Sequence, residues 1–297
     1  MEWISALQQA VSYMEEHLLE EISYEDVAKH VHTSAYEFHR AFSFLTGMTP
    51  TAYIRSRRLS LAAREIVDTG ARITDVALKY GYDTPESFTK AFTRFHGIAP
   101  RSARDESARL VLFNPIAIRL TVEGGKRMDY RIVQTKARKF LAVVKSFPNE
   151  IISDDSNHDV ADFWEECGRK KLTGLLYNLR PEGKHDLYGL CSPAKEDAGT
   201  FDYGIGIPID EDTAVFDPDT LEKAGCSVWN VDSGTYAVFD CVGENGDCIT
   251  ETWSRFYREF LPQMGYESSD ATDYEIYFEK GRPGVFCELW IPVRKKA

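Results

Sequence analysis

Apolar residues in the first hundred positions recur every three or four residues, the spacing that lines one face of a helix. A first run predicts an amphipathic helix within residues 1–20, and a later run predicts a long helix from Tyr53 to Asp68. The apolar residues of the first run are Ile4, Leu7, Val11, Met14 and Leu18. The N-terminal third of the chain is therefore expected to be all-α.

Two blocks of this region occur twice. Asp26-Val27-Ala28 recurs 49 residues later as Asp75-Val76-Ala77. Phe38-x-Arg40-Ala41-Phe42-x₄-Gly47-x₂-Pro50 recurs 50 residues later as Phe88-x-Lys90-Ala91-Phe92-x₄-Gly97-x₂-Pro100. Each copy predicts a helix pair with a basic residue midway along its second helix. Duplicated pairs of this size are typical of helix-turn-helix modules, so DNA is the first ligand to consider.

Residue types that cap helices stand at the expected starts. Ser23 and Thr74 precede or open the first helix of each pair, and Ser34 and Thr84 precede the second. Repeated helix pairs also build solenoids that bind protein, but two copies joined by a long helix are too few for one.

The second helices carry polar faces that suit contacts to bases and phosphates. In the first copy these residues are Tyr36, Glu37, His39, Arg40 and Ser43. In the second copy they are Pro85, Glu86, Ser87, Thr89, Lys90, Thr93 and Arg94. The long helix between the copies adds the basic group Arg55, Arg57, Arg58 and Arg64.

The region from Ile22 to Pro100 resembles the DNA-binding domain of the AraC/XylS family of transcription regulators. The motifs that carry the resemblance are Ile22-Ser23-x₃-Val27-Ala28, Tyr53-Ile54-x-Ser56-Arg57-Arg58-Leu59, Ile73-x₂-Val76-Ala77, Tyr80-Gly81-Tyr82 and Phe88-x₂-Ala91-Phe92-x₃-His96-Gly97-x₂-Pro100. The resemblance implies two recognition helices that enter adjacent segments of the major groove, about one helical turn apart.

The resemblance also suggests which residues meet DNA. It implies that Tyr36, His39 and Arg40 read bases or line the groove, and that the second helix presents Pro85, Glu86, Thr89 and Lys90. Many relatives have glutamine where Pro85 and Glu86 stand, so Glu86 either accepts a hydrogen bond from cytosine or faces solvent. We expect most of the sequence specificity to lie in the first copy, with Lys90 and Arg94 anchoring phosphates.

The charge distribution is compatible with DNA despite a net charge of −12 for the whole chain. Residues 29–110 hold 13 basic and 8 acidic residues, a net charge of +5. Exposed charges beyond roughly 10 Å are screened at physiological salt, so this basic region can still neutralise phosphates. No apolar run reaches the roughly 18 residues of a membrane span, and the N-terminus lacks a signal-peptide pattern. A cytoplasmic protein with reduced thiols is expected.

The C-terminal part has a mixed pattern that predicts an α+β sheet with helices on one face. The expected strands are 140–144, 203–207, 236–239, 274–278 and 287–293, and the expected helices are 160–172 and 249–261. The predicted domains are a DNA-binding domain over 1–107, a connector over 108–127 and a C-terminal domain over 128–297.

Several segments of this domain together resemble the GyrI-like, or multidrug-effector-binding, domain. They are Leu187-Tyr188-Gly189, Tyr203-Gly204-Ile205-Gly206, Gly234-Thr235-Tyr236-Ala237-Val238-Phe239, Tyr274-Glu275-Ile276-Tyr277 and Cys287-Glu288-Leu289-Trp290-Ile291-Pro292-Val293. An AraC-type domain followed by a GyrI-like one is the layout of the Rob-type regulators, which the whole chain resembles. The resemblance implies that the C-terminal domain binds a small-molecule effector.

A carboxylate among aromatic side chains would attract a lipophilic cation. Glu275 and Tyr277 share one face of a strand, and so do Glu288 and Trp290. The candidate pocket residues are Glu288, Glu275, Trp290, Tyr277, Tyr236, Tyr203, Tyr188 and Trp164. The alternative is that Glu288 forms a surface salt bridge and the aromatic residues belong to the core.

The sequence therefore predicts a transcription regulator whose partners are promoter DNA, a small effector and RNA polymerase. No cofactor or metal is expected, because the histidines and cysteines lack ligand spacing. Two alternatives stay open for the C-terminal domain. It could be a small hydrolase in which a glutamate and a tyrosine act as acid and base, or a module that contacts only protein.

Overall fold

The computed structural model describes residues 3–105, 107–118, 127–148, 158–193, 200–214 and 225–296. The chain divides into two compact units. The N-terminal unit comprises residues 2–42 and 48–122, and residues 123–297 belong to the C-terminal unit. The first unit is all-α and the second is α+β, which confirms the predicted fold classes. In the described part of the chain, no helix is both long and apolar enough to cross a membrane.

The N-terminal unit contains two helix pairs joined by a long helix, as predicted. Its elements are α1 (Trp3–Glu16), α2 (Tyr24–His30), α3 (Ala35–Thr46), α4 (Pro50–Thr69), α5 (Ile73–Lys79), α6 (Pro85–His96) and a 3₁₀ turn (Pro100–Arg104). Helices α2 and α3 form the first module, and α5 and α6 form the second. Helix α1 packs through Trp3, Ala6 and Ala10, whereas Ile4, which was expected to be buried, is exposed.

Side-chain caps explain most of the helix starts. Ser23 and Asp26 form a reciprocal capping box at α2, in which the backbone N–H of Asp26 donates to Ser23 Oγ at 3.3 Å. Thr84 caps α6, with proline at the first helical position. The prediction for Thr74 is wrong, because α5 begins one residue earlier at Ile73 without a side-chain cap. Ile73 packs against the core of the second module, so packing sets this helix start.

The second module packs against the C-terminal half of α4. Phe88 and Phe92 of α6 are fully buried there against apolar residues of α4 and α5. The other buried residues of this cluster are Leu59, Ala62, Ala63, Ile66, Val76, Ala77, Tyr80 and Ala103. Helix α4 therefore belongs to the core of the module that follows it.

A partly buried ion pair joins α1 to α4. Arg57 Nε and Nη2 each donate to one carboxylate oxygen of Glu15 at 2.8 Å, and Tyr53 Oη donates to Glu15 Oε1 at 2.7 Å. Burial acts to raise the pKa of Glu15, but the hydrogen bonds from Arg57 and Tyr53 outweigh it and hold the pKa below its ordinary value. Arg57 also donates to the carbonyl of Phe113.

This geometry corrects the prediction that Arg57 contacts DNA. Its side chain is 8% exposed, and its guanidinium donors are directed at Glu15 and Phe113. A phosphate contact would require breaking a bidentate ion pair inside the unit. We therefore assign Arg57 a structural role.

The first part of the predicted connector is attached to the N-terminal unit. The backbone N–H of Val111 donates to His96 Nδ1 at 3.1 Å, and that of Phe113 donates to Ser60 Oγ at 3.0 Å. The Phe113 ring also lies edge-on to the Tyr53 ring, at 6.0 Å between centroids. Residues 110–118 therefore extend this unit beyond residue 107. Residues 119–126 of the predicted connector lie outside the described residues.

The C-terminal unit is built on one antiparallel sheet. Its strands are β1 (Arg131–Thr135), β2 (Arg138–Pro148), β3 (Leu187–Cys191), β4 (Thr200–Pro208), β5 (Cys226–Val231), β6 (Gly234–Val242), β7 (Tyr266–Ser268), β8 (Asp273–Tyr277) and β9 (Val285–Lys295). Its helices are α7 (His158–Arg169), α8 (Leu172–Tyr177), α9 (Asp247–Arg255), a π-helical turn (Phe256–Phe260) and α10 (Leu261–Met264). All five predicted strand segments and both predicted helical segments lie within or overlap these elements.

The strand order reveals a repeat within the C-terminal unit. The order is β1-β6-β9-β8-β3-β4-β2-β5, with β7 added beside β9. Two segments with the same order of elements follow each other along the chain, β1-β2-α7-α8-β3-β4 and β5-β6-α9-α10-β8-β9. In the sheet, the first strand of each segment lies at the edge of the half formed by the other segment. The two segments meet where β3 pairs with β8, which places Gly189 directly opposite Glu275.

Replacing Glu15 with glutamine tests whether its ion pair stabilises the N-terminal unit. Glu15→Gln is expected to lower the free energy of unfolding of that unit by about 2–3 kcal/mol, because Arg57 loses its charged partner. Since the pKa of Glu15 is lowered on folding, this stabilisation is present near neutral pH and disappears as the pH falls below the ordinary value of 4.5. Hydrogen exchange of α1 and α4 amides at pH 7 and pH 4 measures both effects.

Glu16→Gln on the exposed face of the same helix is the matched control. It should leave amide exchange unchanged at either pH. Equal protection in the Glu15 and Glu16 variants would show that the ion pair contributes nothing.

Candidate DNA interface and effector site

Three of the predicted DNA-contacting residues lie on one face of α3. Tyr36, His39 and Arg40 are spaced at i, i+3 and i+4, which places them on neighbouring turns. Arg40 donates a hydrogen bond to the Tyr36 hydroxyl, and its guanidinium lies 5.4 Å from the centre of that ring. The His39 ring lies edge-on to Tyr24 of α2 at 5.2 Å. Tyr36 thereby orients the guanidinium of Arg40 along the helix.

The corresponding residues of α6 line an open groove of ≈ 880 Å³. Glu86, Thr89, Lys90 and Arg94 are exposed, and Pro85 forms the start of the helix. Thr89 Oγ1 donates to the carbonyl of Pro85 at 2.7 Å, so this hydroxyl is engaged by its own helix. The structure therefore brings all five predicted residues of the second copy to one surface.

Sequence reasoning missed two members of this groove. Thr74 from the first turn of α5 and Arg101 from the 3₁₀ turn line it together with α6. Arg101 directly follows Pro100, the last residue of the repeated block, and occupies the place that Thr51 has after Pro50. The repeat was the signal that could have identified it.

Arg55 lies in a second groove, of ≈ 440 Å³, between the two modules. The start of α2, the first turns of α4 and the turn at Tyr82 line it. Arg55 is exposed there, whereas Arg58 is held by the carbonyls of Leu18 and Glu20 at 2.7 and 2.6 Å. The arginines of α4 thus differ in availability although they are close in sequence.

In the C-terminal unit, the predicted pocket residues fall on opposite faces of the sheet. Residues directly opposite each other on paired strands share a face, and faces alternate along each strand. Glu275 pairs with Leu289, whereas Glu288 pairs with Asp240 and Ile276. The residues on the Glu275 face are Tyr203 and Tyr277, joined by Trp164 of α7; those on the Glu288 face are Trp290, Tyr236 and Tyr188. The prediction of one pocket containing all eight residues is therefore wrong.

Glu288 belongs to an ion-pair network that ties strands together. Its carboxylate pairs with Arg131 of β1 and with Arg282, whose Nη1 lies 2.7 Å from Glu288 Oε1. Arg282 also pairs with Asp240 of β6 at 2.6 Å, and Trp290 Nε1 donates to Glu288 at 3.1 Å. Two guanidinium groups neutralise this carboxylate, so Glu288 is salt-bridged as the alternative stated, but its carboxylate is buried and not at the surface.

Glu275 occupies a different environment at the centre of the opposite face. It is 8% exposed, and Tyr203 Oη donates to its Oε2 at 2.9 Å. Trp164 Nε1 donates to the same tyrosine oxygen at 3.0 Å, and the Trp164 ring lies edge-on to Tyr277 at 4.9 Å. The group forms a polar chain from tryptophan through tyrosine to carboxylate, surrounded by apolar residues of β2, β4, α7 and α8.

The two tyrosines of this group remain protonated at any physiological pH. Burial, reinforced by the Glu275 carboxylate, raises the pKa of Tyr203 well above its ordinary value. The same causes raise the pKa of Tyr277. Neither tyrosine therefore adds a negative charge beside the carboxylate, and the Tyr203 hydroxyl donates to it.

Two family models match the chain, and together they cover most of it. The helix-turn-helix domain family matches residues 27–106, which span both modules. The integron-associated effector binding protein family matches residues 131–293, which span the sheet unit.

Curated relatives agree with this division. The right origin-binding protein of Escherichia coli K12 is 26% identical over 310 aligned positions, covering 99% of this chain and 100% of that protein. The transcriptional activator AarP of Providencia stuartii is 34% identical over 96 residues, 32% of this chain and 71% of AarP. The regulator YbfP of Bacillus subtilis is 38% identical over 104 residues, but the chain spans only 35% of YbfP.

Removing the charge of Glu288 is expected to loosen the attachment of β1. Glu288→Gln leaves Arg131 and Arg282 without their shared carboxylate and should lower the free energy of unfolding by about 1–2 kcal/mol. The loss is smaller than for a fully buried pair because both arginines are partly exposed. Urea unfolding of the full chain measures it.

Glu267→Gln is the matched control. Glu267 pairs with Arg294, which lies on β9 as Glu288 does, but this ion pair is at an exposed position. It should change stability by no more than about 0.5 kcal/mol. If the two variants were equally stable, the network around Glu288 would have no structural role.

Proposed function

Because the chain belongs to the AraC-type regulators that join a helix-turn-helix DNA-binding domain to an effector-binding domain, we propose specific roles for the surfaces described above. The protein is a transcription regulator that binds double-stranded DNA and carries a C-terminal domain for a small-molecule effector. In our proposal, α3 reads bases, α6 mainly holds the DNA backbone, and Glu275 receives a lipophilic cation.

The chemistry of α3 supports base reading in the first module. A guanidinium can donate two parallel hydrogen bonds to the O6 and N7 atoms of guanine in the major groove. Arg40 supplies that group, but it is 7% exposed and its guanidinium lies against Tyr36, so it must extend outward to meet a base; the Tyr36 ring can then meet a neighbouring thymine methyl. His39 is 3% exposed and packs edge-on to Tyr24, so we propose that it supports this helix and does not meet a base.

The chemistry of α6 supports backbone anchoring in the second module. Lys90, Arg94 and Arg101 line its groove, and flexible cations of this kind meet phosphates without reading sequence. The proline and glutamate at the start of this helix give few base contacts, and we propose that Glu86 faces solvent. Arg55 in the groove between the modules would meet the phosphates between the two major-groove segments.

The single observation that carries the effector proposal is the Glu275 carboxylate at the centre of an apolar, aromatic face. A strongly hydrated cation would lose its water there without full replacement, whereas a lipophilic cation with dispersed charge has little hydration to lose. The carboxylate supplies charge pairing, and the rings of Trp164 and Tyr277 supply stacking and cation–π attraction. A monovalent lipophilic cation is therefore the effector class that we propose.

The effector acts on transcription only through a difference in affinity between two states of the protein. A ligand that binds the DNA-competent state more tightly increases promoter occupancy, and DNA then increases ligand affinity by the same factor. RNA polymerase is the further partner that we propose, since activation requires its recruitment to the bound promoter.

One observation favours a second candidate function. The hydrogen bond between Tyr203 and Glu275 places a side chain that can act as a general acid beside one that can act as a general base, among apolar residues. Hydrolysis of an activated ester such as 4-nitrophenyl acetate by the full chain, lost in Glu275→Gln, would favour a hydrolase. Binding of a cation without turnover favours the sensor.

Arginine and lysine variants separate base reading from backbone anchoring. Arg40→Ala is expected to cost about 1–3 kcal/mol of binding to a duplex selected from random sequence, with little change on unselected DNA. Lys90→Ala should weaken binding to the selected duplex and to unselected DNA alike. It should also reduce the steepness of the slope of log K against log salt by about one. Fluorescence anisotropy titrations at several salt concentrations measure both effects.

Arg64→Ala is the control, since Arg64 is exposed on α4 and pairs with Asp68 outside both grooves. The affinity of this variant for DNA and the slope of its salt dependence should match those of the unmodified chain. A loss of sequence preference in Lys90→Ala, with none in Arg40→Ala, would reverse the roles that we assign to the two modules.

Glutamate variants on the two faces of the sheet test the effector site. Glu275→Gln is expected to weaken binding of tetraphenylphosphonium, a lipophilic monovalent cation, at least tenfold, because the site loses its charge and keeps its shape. Isothermal titration calorimetry of the full chain gives the affinity and the stoichiometry.

Glu288→Gln serves as the control on the opposite face and should retain the affinity within threefold. Equal losses in the two variants would contradict the assignment of the effector to the Glu275 face. No binding by the unmodified chain would contradict the proposed effector class.

A further inference from the structure

Gly189 lies at the junction of the two repeats, on the face of the sheet that carries Glu275. A Cβ atom at this position would lie 2.1 Å from the Tyr203 hydroxyl oxygen and 2.2 Å from Glu275 Oε2. Non-bonded atoms do not approach so closely. Any side chain at residue 189 would therefore displace the tyrosine hydroxyl, the carboxylate, or both.

The backbone of β3 does not itself require glycine at this position. Gly189 has no left-handed φ angle, unlike the turn glycines of this chain. A glycine inside a central strand weakens the sheet and often marks a close approach of other atoms. Here the atoms that approach are the two polar groups of the effector site.

Gly206 of the neighbouring strand provides a contrast. A Cβ there would lie 2.6 Å from the backbone oxygen of Leu141, so strand packing explains that glycine. Close approach to fixed backbone indicates a structural constraint. Close approach to the ends of Glu275 and Tyr203 indicates that Gly189 leaves space for those side chains.

The repeat explains why the type of residue at position 189 matters. The two segments present residues 189 and 275 directly opposite each other where they meet, and only residue 275 carries a side chain. The centre of this face thus holds one carboxylate, and the space that a second side chain would take is filled by the Tyr203 hydroxyl and the Glu275 carboxylate.

We propose that Gly189 is a specificity-determining residue of the effector site, which reserves the centre of the sheet for the Glu275–Tyr203 pair and so limits the site to one monovalent cation per chain. This proposal rests on the effector function proposed above. Gly189 contacts the effector through no side chain of its own. It positions the carboxylate and the hydroxyl that meet the ligand.

Gly189→Ala in the full chain tests the proposal with two readouts. The unmodified chain should bind tetraphenylphosphonium one to one, and in Gly189→Ala the affinity measured by calorimetry should fall at least tenfold. The emission of Trp164, obtained as the difference from a Trp164→Phe reference, should shift because its N–H donates to the displaced Tyr203 hydroxyl. Gly174→Ala in α8 is the control, since a Cβ there meets no atom within 4 Å.

A double variant separates this role from simple loss of folding. Tyr203→Phe removes the oxygen that the new methyl group meets, so Gly189→Ala/Tyr203→Phe should regain melting temperature relative to Gly189→Ala while its affinity stays low. Retention of both affinity and Trp164 emission in Gly189→Ala would overturn the proposal. So would two cations bound per unmodified chain.

The two proposals fail in different ways. If the unmodified chain binds no tetraphenylphosphonium, the proposed effector class is wrong, and the Trp164 emission still shows whether Gly189 positions the Tyr203–Glu275 pair. If the unmodified chain binds and Gly189→Ala binds equally well, the effector function stands and the role of Gly189 falls.

Discussion

The pairing register of β9 between β6 and β8 is the constraint on which the effector domain depends. It places Glu288 opposite Asp240, among arginines that neutralise it, and turns Leu289 toward the face of Glu275. A slip of one residue would exchange the faces of every side chain on the strand. One carboxylate would lose its ion pairs and the apolar face would gain a charge, so both faces favour the same register.

The DNA-binding unit depends in a similar way on what holds α4. This helix carries four arginines, and their tertiary partners divide them by role. Arg57 is bound by Glu15 and Phe113, and Arg58 by backbone carbonyls that follow α1. Arg55 and Arg64 remain exposed. Arg57 and Arg58 thus anchor the helix that joins the two modules, whereas Arg55 stays exposed in the groove between them.

Much of the fold could be predicted from local patterns, and the failures have physical causes. The repeated blocks correctly indicated two modules. Ser23 and Thr84 were recognised as caps because each accepts a hydrogen bond from a backbone N–H only three residues later. Thr74 failed because packing of Ile73 outweighed a possible cap. Strands β1, β3, β5 and β7 were missed; β1, β5 and β7 are short strands with a weak apolar pattern, and β3 is a five-residue strand interrupted by Gly189.

The sequence by itself determined the two modules, the α+β class of the second unit and the residue types available at each surface. Periodicity and capping are properties of neighbouring residues, so they can be read along the chain. Only the tertiary structure decided that Glu275 and Glu288 lie on opposite faces, that Arg57 is internal and that Gly189 leaves room for Tyr203. Those outcomes depend on strand register and on contacts between residues far apart in sequence, and no local pattern encodes them.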